Sequence, residues 1–438
     1  MFDYFARKTY GSAYLETNKK EIEQELQGVV YALNQPASAR GDQSVFWNIS
    51  VLDKPYMQEL FGAFYYPDGT QVDMDSTRRL QFFFMEWFRK ERQKELLTFP
   101  VLTASLLTTK EGFADEHFRD YCAEQMSKGH SFFVYMSGSV DSLASCCRLR
   151  NELADNTFSY TLGAGGVVTG SAQVITINMH RFHQEDRARC ELRALIHRAH
   201  KYLIAHRMVY EDYIAAGLLP AYTAGFMAID KQFLTIGLNG VVEAAEHCGY
   251  TIDNNDDYKK FLAETLALFK AENKKALQKY GIRFNTEFVP AENLGVKNAK
   301  WDRAAGYPPQ RDCYNSYFYR VEDDDLTILD KIAMYGKDIT EHLDGGSALH
   351  LNLEQLLSTE QAKHLFDLCR RSGVPYWTTN TRCTICNTCG KIDPETRKEC
   401  RACGSTDIDY GTRIIGYLRR ISSFSEGRQQ EAARRYYT

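Results

Sequence analysis

The stretch Arg413-Ile-Ile-Gly-Tyr-Leu-Arg-Arg420 follows closely behind four cysteines spaced C-x2-C…C-x2-C, and the rest of the chain is read outward from this pairing. The cysteines are Cys386 and Cys389 in CNTCG and Cys400 and Cys403 in CRACG. A glycine closes each pair, Gly390 or Gly404, and lets the backbone reverse beside a metal. Thiolates at about 2.3 Å suit tetrahedral Zn²⁺, and a site filled by protein sulfurs is structural, with no open position for substrate. Cys383 stands just ahead of Cys386 and offers a competing first pair; the likeness of CNTCG to CRACG favours Cys386 and Cys389. The alternative for all of them is reduced cysteine without metal. Zinc ribbons also serve nucleic acids, so a binding module competes for this segment. The adjacent RIIGYLRR favours a different task, fixing the base of the loop that carries Gly416.

At 438 residues the chain can bury a large core. A formal net charge of -4 gives no electrostatic case for a nucleic acid or a membrane as partner. No apolar run approaches the ~20 residues needed to span a bilayer. The start MFDYFARKTYGS lacks the apolar core of a signal peptide, and the chain reads as cytoplasmic. Its 12 cysteines do not form the framework of a small secreted domain, since they include a metal pattern and the adjacent pair Cys146-Cys147. That usage fits a reducing compartment. No HExxH and no G-x-S-x-G occurs, so hydrolase chemistry finds no support.

Helical patterns cover Leu15 to Leu33, stopped at Asn34-Gln35-Pro36, and Asp75 to Lys94. Phe99 to Leu107 and Ser131 to Met136 read as buried strands, and the glycine-rich Gly163 to Gly170 feeds a strand from Gln173 to Asn178. Long helices are expected over Glu185 to Ala215, Phe226 to Cys248 and Tyr258 to Tyr280. Strands and loops are expected from Ile282 until a helix from Leu353 to Ser372. The alternation argues for an α/β domain over residues 1–380, followed by a ribbon at 381–410 and a loop and tail at 411–438. GAGGVVTG is followed by a strand and is therefore no dinucleotide fingerprint.

Glycine has no side chain, so loss of one α-hydrogen leaves a planar radical delocalised over both flanking amides. The string R-x-x-G-Y ending at Tyr417 resembles the radical-storage loop of glycyl-radical enzymes. With the cysteines upstream, the tail resembles the C-terminus of anaerobic (class III) ribonucleotide reductases. The alternative is a plain β-turn at Gly416. Further strings extend the resemblance: Cys147-Arg148 followed by Val174-Ile-Thr-Ile-Asn178, IGLNG (236–240), EFVPAENLG (287–295), CYNSYF (313–318) and Gly345-Gly346.

The resemblance implies an α/β barrel, ten-stranded in the family, with a C-terminal zinc ribbon. It implies oxygen-sensitive reduction of ribonucleotides, as triphosphates, with ATP or deoxynucleotide effectors. A radical-SAM activase would install the radical on Gly416. Cys147 would be the thiyl residue, with Cys146 as its neighbour and redox partner; the alternative is that both are small buried hydrophobes. Substrate phosphates prefer helix starts and glycine turns. Pro290, Ala291, Glu292 and Asn293 are therefore the candidate cradle, against a plain helix cap, and Asn178 is a further substrate contact. Formate-using members carry an asparagine-bearing loop where this chain has GAGGVVTG, which favours a thioredoxin-like reductant over formate.

The matches run from about Pro36 to Thr438. No ATP-cone is recognisable, and ASARGDQSVFWNIS (37–50) resembles a segment that lies well inside longer members. The expectation is that Met1 to Ser50 dock against a second polypeptide carrying an early barrel strand, or against a second copy as a homodimer. Two other functions stay open: a different glycyl-radical enzyme, and a catalytically inactive zinc-ribbon interaction protein.

Overall fold

Apolar strands alternating with capped amphipathic helices give a mixed α/β chain. The structure is a computed structural model. It describes residues 1–36, 44–45, 47–140, 142–144, 150–152, 170–184, 189–288, 293–343, 346–414 and 416–438, with the backbone alone at 142–144, 150–152 and 189–191. In chain order the described strands are β1 (Asn48–Leu52), β2 (Val101–Leu107), β3 (Phe133–Ser137), β4 (Ser142–Ala144), β5 (Arg150–Glu152), β6 (Ser171–Asn178), β7 (Phe233–Asn239), β8 (Phe284–Phe288), β9 (Leu349–Asn352), β10 (Tyr376–Asn380), β11 (Cys383–Cys386), β12 (Ile392–Asp393), β13 (Ile408–Arg413) and β14 (Leu418–Arg420). The chain divides into two units. The first is Met1–Val140, Asn352–Asp367 and Thr378–Phe424; the second is Asp141–Leu351, Leu368–Trp377 and Ser425–Thr438.

In the first unit β1, β2 and β3 pair in parallel, with Asn48 opposite Val101 and Thr103 opposite Phe133. Parallel strands need crossovers and are covered on both faces. Accordingly Val101, Leu102, Ala104 and Leu106 are all buried. The helices Lys54–Phe61, Met74–Glu91 and Glu116–Ser127 start at Asp53, Asp73 and Asp115, each of which accepts an amide hydrogen of the first turn. Ala6, Tyr14, Leu15 and Ile22 of the N-terminal helices pack with Leu80 and Phe83 of this same chain.

The same unit ends in an antiparallel sheet of order β12-β11-β13-β14. Cys383 lies opposite Gly411, and Arg413 opposite Leu418, so residues 414–417 close the β13–β14 hairpin. Leu96 packs on Cys383, Ile385 and Ile392 and seats this ribbon. The turn before β3 touches it at Gly129, where φ is +76° and an added Cβ would lie 2.6 Å from the Cβ of Pro394.

In the second unit β6, β7 and β8 form a parallel sheet with β7 in the centre. The helix Asp256–Tyr280 is capped by Asn255 and stopped by the left-handed Gly281. It buries Tyr258, Phe261, Leu262, Leu266 and Phe269, the repeat of an amphipathic helix.

Two expectations need correction. The helix expected over Phe226 to Cys248 is instead β7 followed by the short helix Val241–His247. Leu234, Ile236 and Leu238 are buried in this strand and alternate with Thr235, Gly237 and Asn239, a period of two that marks a strand and was overlooked inside the longer helical stretch. Between Ile282 and Leu353 the chain also forms the helices Leu294–Ala304, Ile328–Met334 and Lys337–Thr340. They are short, and their apolar stripes are correspondingly brief.

Gly129→Ala should destabilise the protein by about 1–3 kcal/mol, combining a left-handed backbone with overpacking against Pro394. Urea unfolding measures this; a midpoint unchanged from wild type would show that the contact does not seat the ribbon.

Candidate active site

The ribbon brings the predicted metal ligands together. The Sγ atoms of Cys386 and Cys403 are 3.6 Å apart, as are those of Cys389 and Cys400. All four sulfurs lie within 4.8 Å of one another. A tetrahedron with metal–sulfur bonds of about 2.3 Å has edges of about 3.8 Å, so the donor set fits a tetrahedral ion. The backbone N–H of Cys389 donates to Cys386 Sγ at 3.4 Å and pulls that thiol down to about 6. The amide of Ala402 likewise donates to Cys400 Sγ at 3.4 Å. Cys383 lies outside the cluster, buried against Gly411, and burial pushes its thiol up to about 11.

Gly416 is buried at the tip of the hairpin that leaves this ribbon. Its carbonyl accepts a hydrogen bond from Arg413 Nη1 at 2.8 Å. The Arg413 guanidinium also donates from Nε to Ser131 Oγ at 2.8 Å and from Nη2 to Ser131 O at 3.1 Å, and it lies 4.9 Å from the Phe133 ring centre. Its backbone is held too. The Asn380 Oδ1 accepts from Arg413 N at 3.0 Å, while Asn380 Nδ2 donates to Arg413 O at 2.8 Å. A single carboxamide thus serves Arg413 as a neighbouring strand would.

Beside this clamp sits a second buried cation. Arg92 donates to Leu97 O, Ser131 O and Pro100 O at 3.1, 2.8 and 3.1 Å and stacks on Phe88 at 4.2 Å. Among the described residues no carboxylate forms an ion pair with it. Burial and the charges of Arg92, Arg89 and Arg413 push His130 well below the usual histidine range, so it stays neutral. Tyr417 packs on Phe99, with ring centres 5.7 Å apart.

Of the other expected site residues, Cys146, Cys147, Pro290, Ala291 and Glu292 lie outside the described residues. Asn293 is exposed at the start of the helix Leu294–Ala304, and its side chain makes no capping hydrogen bond. Asn178 closes β6 with its amide fully engaged. Its Nδ2 donates to both oxygens of Asp302 at 3.0 Å, and its Oδ1 accepts from Arg181 N at 3.0 Å. Asp302 is itself fully buried and accepts from Arg181 Nε at 2.8 Å and Tyr314 OH at 2.7 Å. Tyr314 OH also meets His180 Nδ1 at 2.7 Å, and burial lowers that histidine to about 4.

Sequence reasoning did not assign Ser131, Asn380, Arg92 or Asp302. None stands in a motif: Ser131, Asn380 and Asp302 act through contacts distant in sequence, and Arg92 binds the backbone carbonyls of Leu97, Pro100 and Ser131. Arg413 was visible in R-x-x-G-Y, but its hydrogen bond to Gly416 was not.

The sequence matches the family model described as anaerobic ribonucleoside-triphosphate reductase over residues 1–437. No curated protein sequence matches the chain. A solved anaerobic ribonucleotide reductase superposes with a TM-score of 0.86 at 30% identity, covering 100% of this chain and 71% of that one. The Thermotoga maritima enzyme in complex with dATP and CTP gives 0.84 at 31% identity, covering 98% of this chain and 72% of its own. The same enzyme with dATP bound in the specificity site gives 0.83 at 31%, covering 97% and 72%.

The purified protein should carry about one tightly bound zinc per chain. Elemental analysis of a Cys400→Ser/Cys403→Ser variant should show that zinc lost. Full retention would remove these cysteines from the metal site. Chelation of the wild type should open the hairpin to protease before the first unit's parallel sheet, since metal binding supplies local folding free energy.

Proposed function

The chain belongs to the anaerobic ribonucleoside-triphosphate reductase family, and on that premise we propose the roles its residues take in reducing ribonucleotides to deoxyribonucleotides. The observation that carries the assignment is Gly416, buried at the tip of a hairpin whose strands grow out of the four-cysteine ribbon. Zn²⁺ is the ion these thiolates would hold, and it supplies a rigid crosslink rather than chemistry.

Gly416 stores the unpaired electron after one of its α-hydrogens passes, as an atom, to a carbon-centred radical of a radical-SAM activating enzyme. The Cys147 thiol then gives its hydrogen to the Gly416 Cα. The sulfur takes the ribose 3′-hydrogen, the 2′-hydroxyl leaves as water, and a dithiol protein supplies the reducing equivalents; formate is the alternative source. The hydrogen finally returns to C3′. Cys146 stands as neighbour and redox partner. The segment from Pro290 to Asn293, which precedes the helix Leu294–Ala304 in the chain, is the proposed phosphate cradle, since helix starts offer unpaired backbone N–H groups to anions. Asn178 acts by orienting Asp302 and Arg181, to judge from its fully engaged amide.

The CTP and dATP held by the Thermotoga maritima enzyme support a ribonucleoside triphosphate as substrate and a deoxynucleotide as effector. Among the described residues no helix is long and apolar enough to cross a membrane.

Activated protein exposed to air should be cut at Gly416, because oxygen adds to the carbon-centred radical and fragments the backbone. Mass spectrometry should find the fragment, and Gly416→Ala should abolish it. A cut elsewhere removes Gly416 as the store.

Cys147→Ser should keep the Gly416 radical and lose deoxynucleotide formation by several orders of magnitude, whereas Cys146→Ser should retain part of the activity. The reverse pattern would exchange the roles of the two sulfurs.

A further inference from the structure

A radical on a glycine Cα is stabilised by an electron-donating amide nitrogen on one side and an electron-withdrawing carbonyl on the other. The resonance form that spreads the spin furthest puts negative charge on the glycine's own carbonyl oxygen and positive charge on its nitrogen. A cationic donor on that oxygen favours this form, more strongly where water is excluded. Arg413 is so placed. Its guanidinium has no accessible surface, and Nη1 donates to Gly416 O at 2.8 Å.

Other contacts leave this arm little freedom to wander. Ser131 takes Nε through its hydroxyl and Nη2 through its carbonyl, Phe133 lies 4.9 Å from the guanidinium carbon, and Asn380 grips the backbone of Arg413 from both sides. Arg92 donates to the same Ser131 carbonyl, at 2.8 Å. That carbonyl thus accepts from two guanidinium groups, while Arg413 Nη1 donates to the Gly416 oxygen. A backbone turn needs only a neutral amide donor to close it. A buried, anchored cation is costly to desolvate and supplies something a neutral donor does not.

We propose that Arg413 is a positioning residue that sets how strongly Gly416 holds its radical, by charge-assisted hydrogen bonding to the Gly416 carbonyl oxygen. The inference rests on the reading of Gly416 as the radical store. The balance it shifts is a hydrogen-atom exchange: the thiol S–H breaks, a Gly416 Cα–H forms, and the spin passes from carbon to sulfur. Stabilising the glycyl side keeps the spin stored between turnovers; losing the arm lets it leak to thiols.

The test uses the full-length protein, activated anaerobically with a radical-SAM activase, then freed of activase and incubated with dithiothreitol. EPR follows the decay of the doublet and its hyperfine splitting. Arg413→Gln should shorten the radical lifetime at least tenfold and change the splitting, since spin density at Cα is redistributed. Arg413→Lys, which keeps the charge, should recover much of the lifetime. Wild-type lifetime and splitting in a zinc-loaded Arg413→Gln protein overturn the proposal. If that variant fails to bind zinc, Ser131→Ala decides. It removes only the hydroxyl anchor of Nε and should shorten the lifetime roughly threefold, while an unchanged lifetime overturns the proposal. Failure of the underlying site is separate: it appears as no doublet in the wild type, or as a doublet that survives Gly416→Ala.

Discussion

A guanidinium with no accessible surface must place its donors on acceptors inside the protein, or the segment that carries it cannot stay folded. Arg413 meets that condition on Ser131 and on the carbonyl of Gly416, and much of the site follows from it. The hairpin turns between Arg413 and Leu418, and Gly416 is buried within that turn. It is positioned from behind, by a charged side chain three residues before the glycine. Asn380 completes the hold by presenting to Arg413 the donor and acceptor of a missing strand.

The ribbon supplies the other half of the constraint. Antiparallel pairing fixes Cys383 against Gly411 and Cys386 against Ile408, so the metal cluster and the hairpin share one register. A slip of one residue would turn every side chain of β13 to the opposite face and carry Arg413 away from Ser131. The four thiolates therefore matter less as chemistry than as a clasp on that register. Leu96 and the close approach at Gly129 tie the clasp to the parallel sheet, whose strand β3 begins two residues after Ser131. Hairpin and sheet meet at Ser131, which holds the Arg413 guanidinium just ahead of β3.

Much of this was legible from local sequence. The cysteine spacing named the ligands that converge, and the structure leaves Cys383 out of the cluster. Strands such as β2 and β3, and the helix Asp256–Tyr280, were readable because their apolar runs and caps agree with their neighbours. β7 was missed although FLTIGLN alternates Leu234, Ile236 and Leu238 with Thr235, Gly237 and Asn239, because so short an alternation was absorbed into the helix read across it. The residues that hold the hairpin were not legible either. Ser131 lies 282 positions from Arg413, and Asn380 lies 33 away; nothing in either local string marks a contact that only the fold creates. Asn178 was visible as a motif residue, but its bond to Asp302, 124 positions on, was not.

The central claim is that a glycine of this hairpin holds an unpaired electron. EPR of the anaerobically activated protein, prepared once with ordinary glycine and once with glycine deuterated at Cα, tests it most directly. The account predicts a doublet from the single remaining α-hydrogen, collapsing toward a singlet in the deuterated protein. No radical signal, or a splitting untouched by the label, would contradict it.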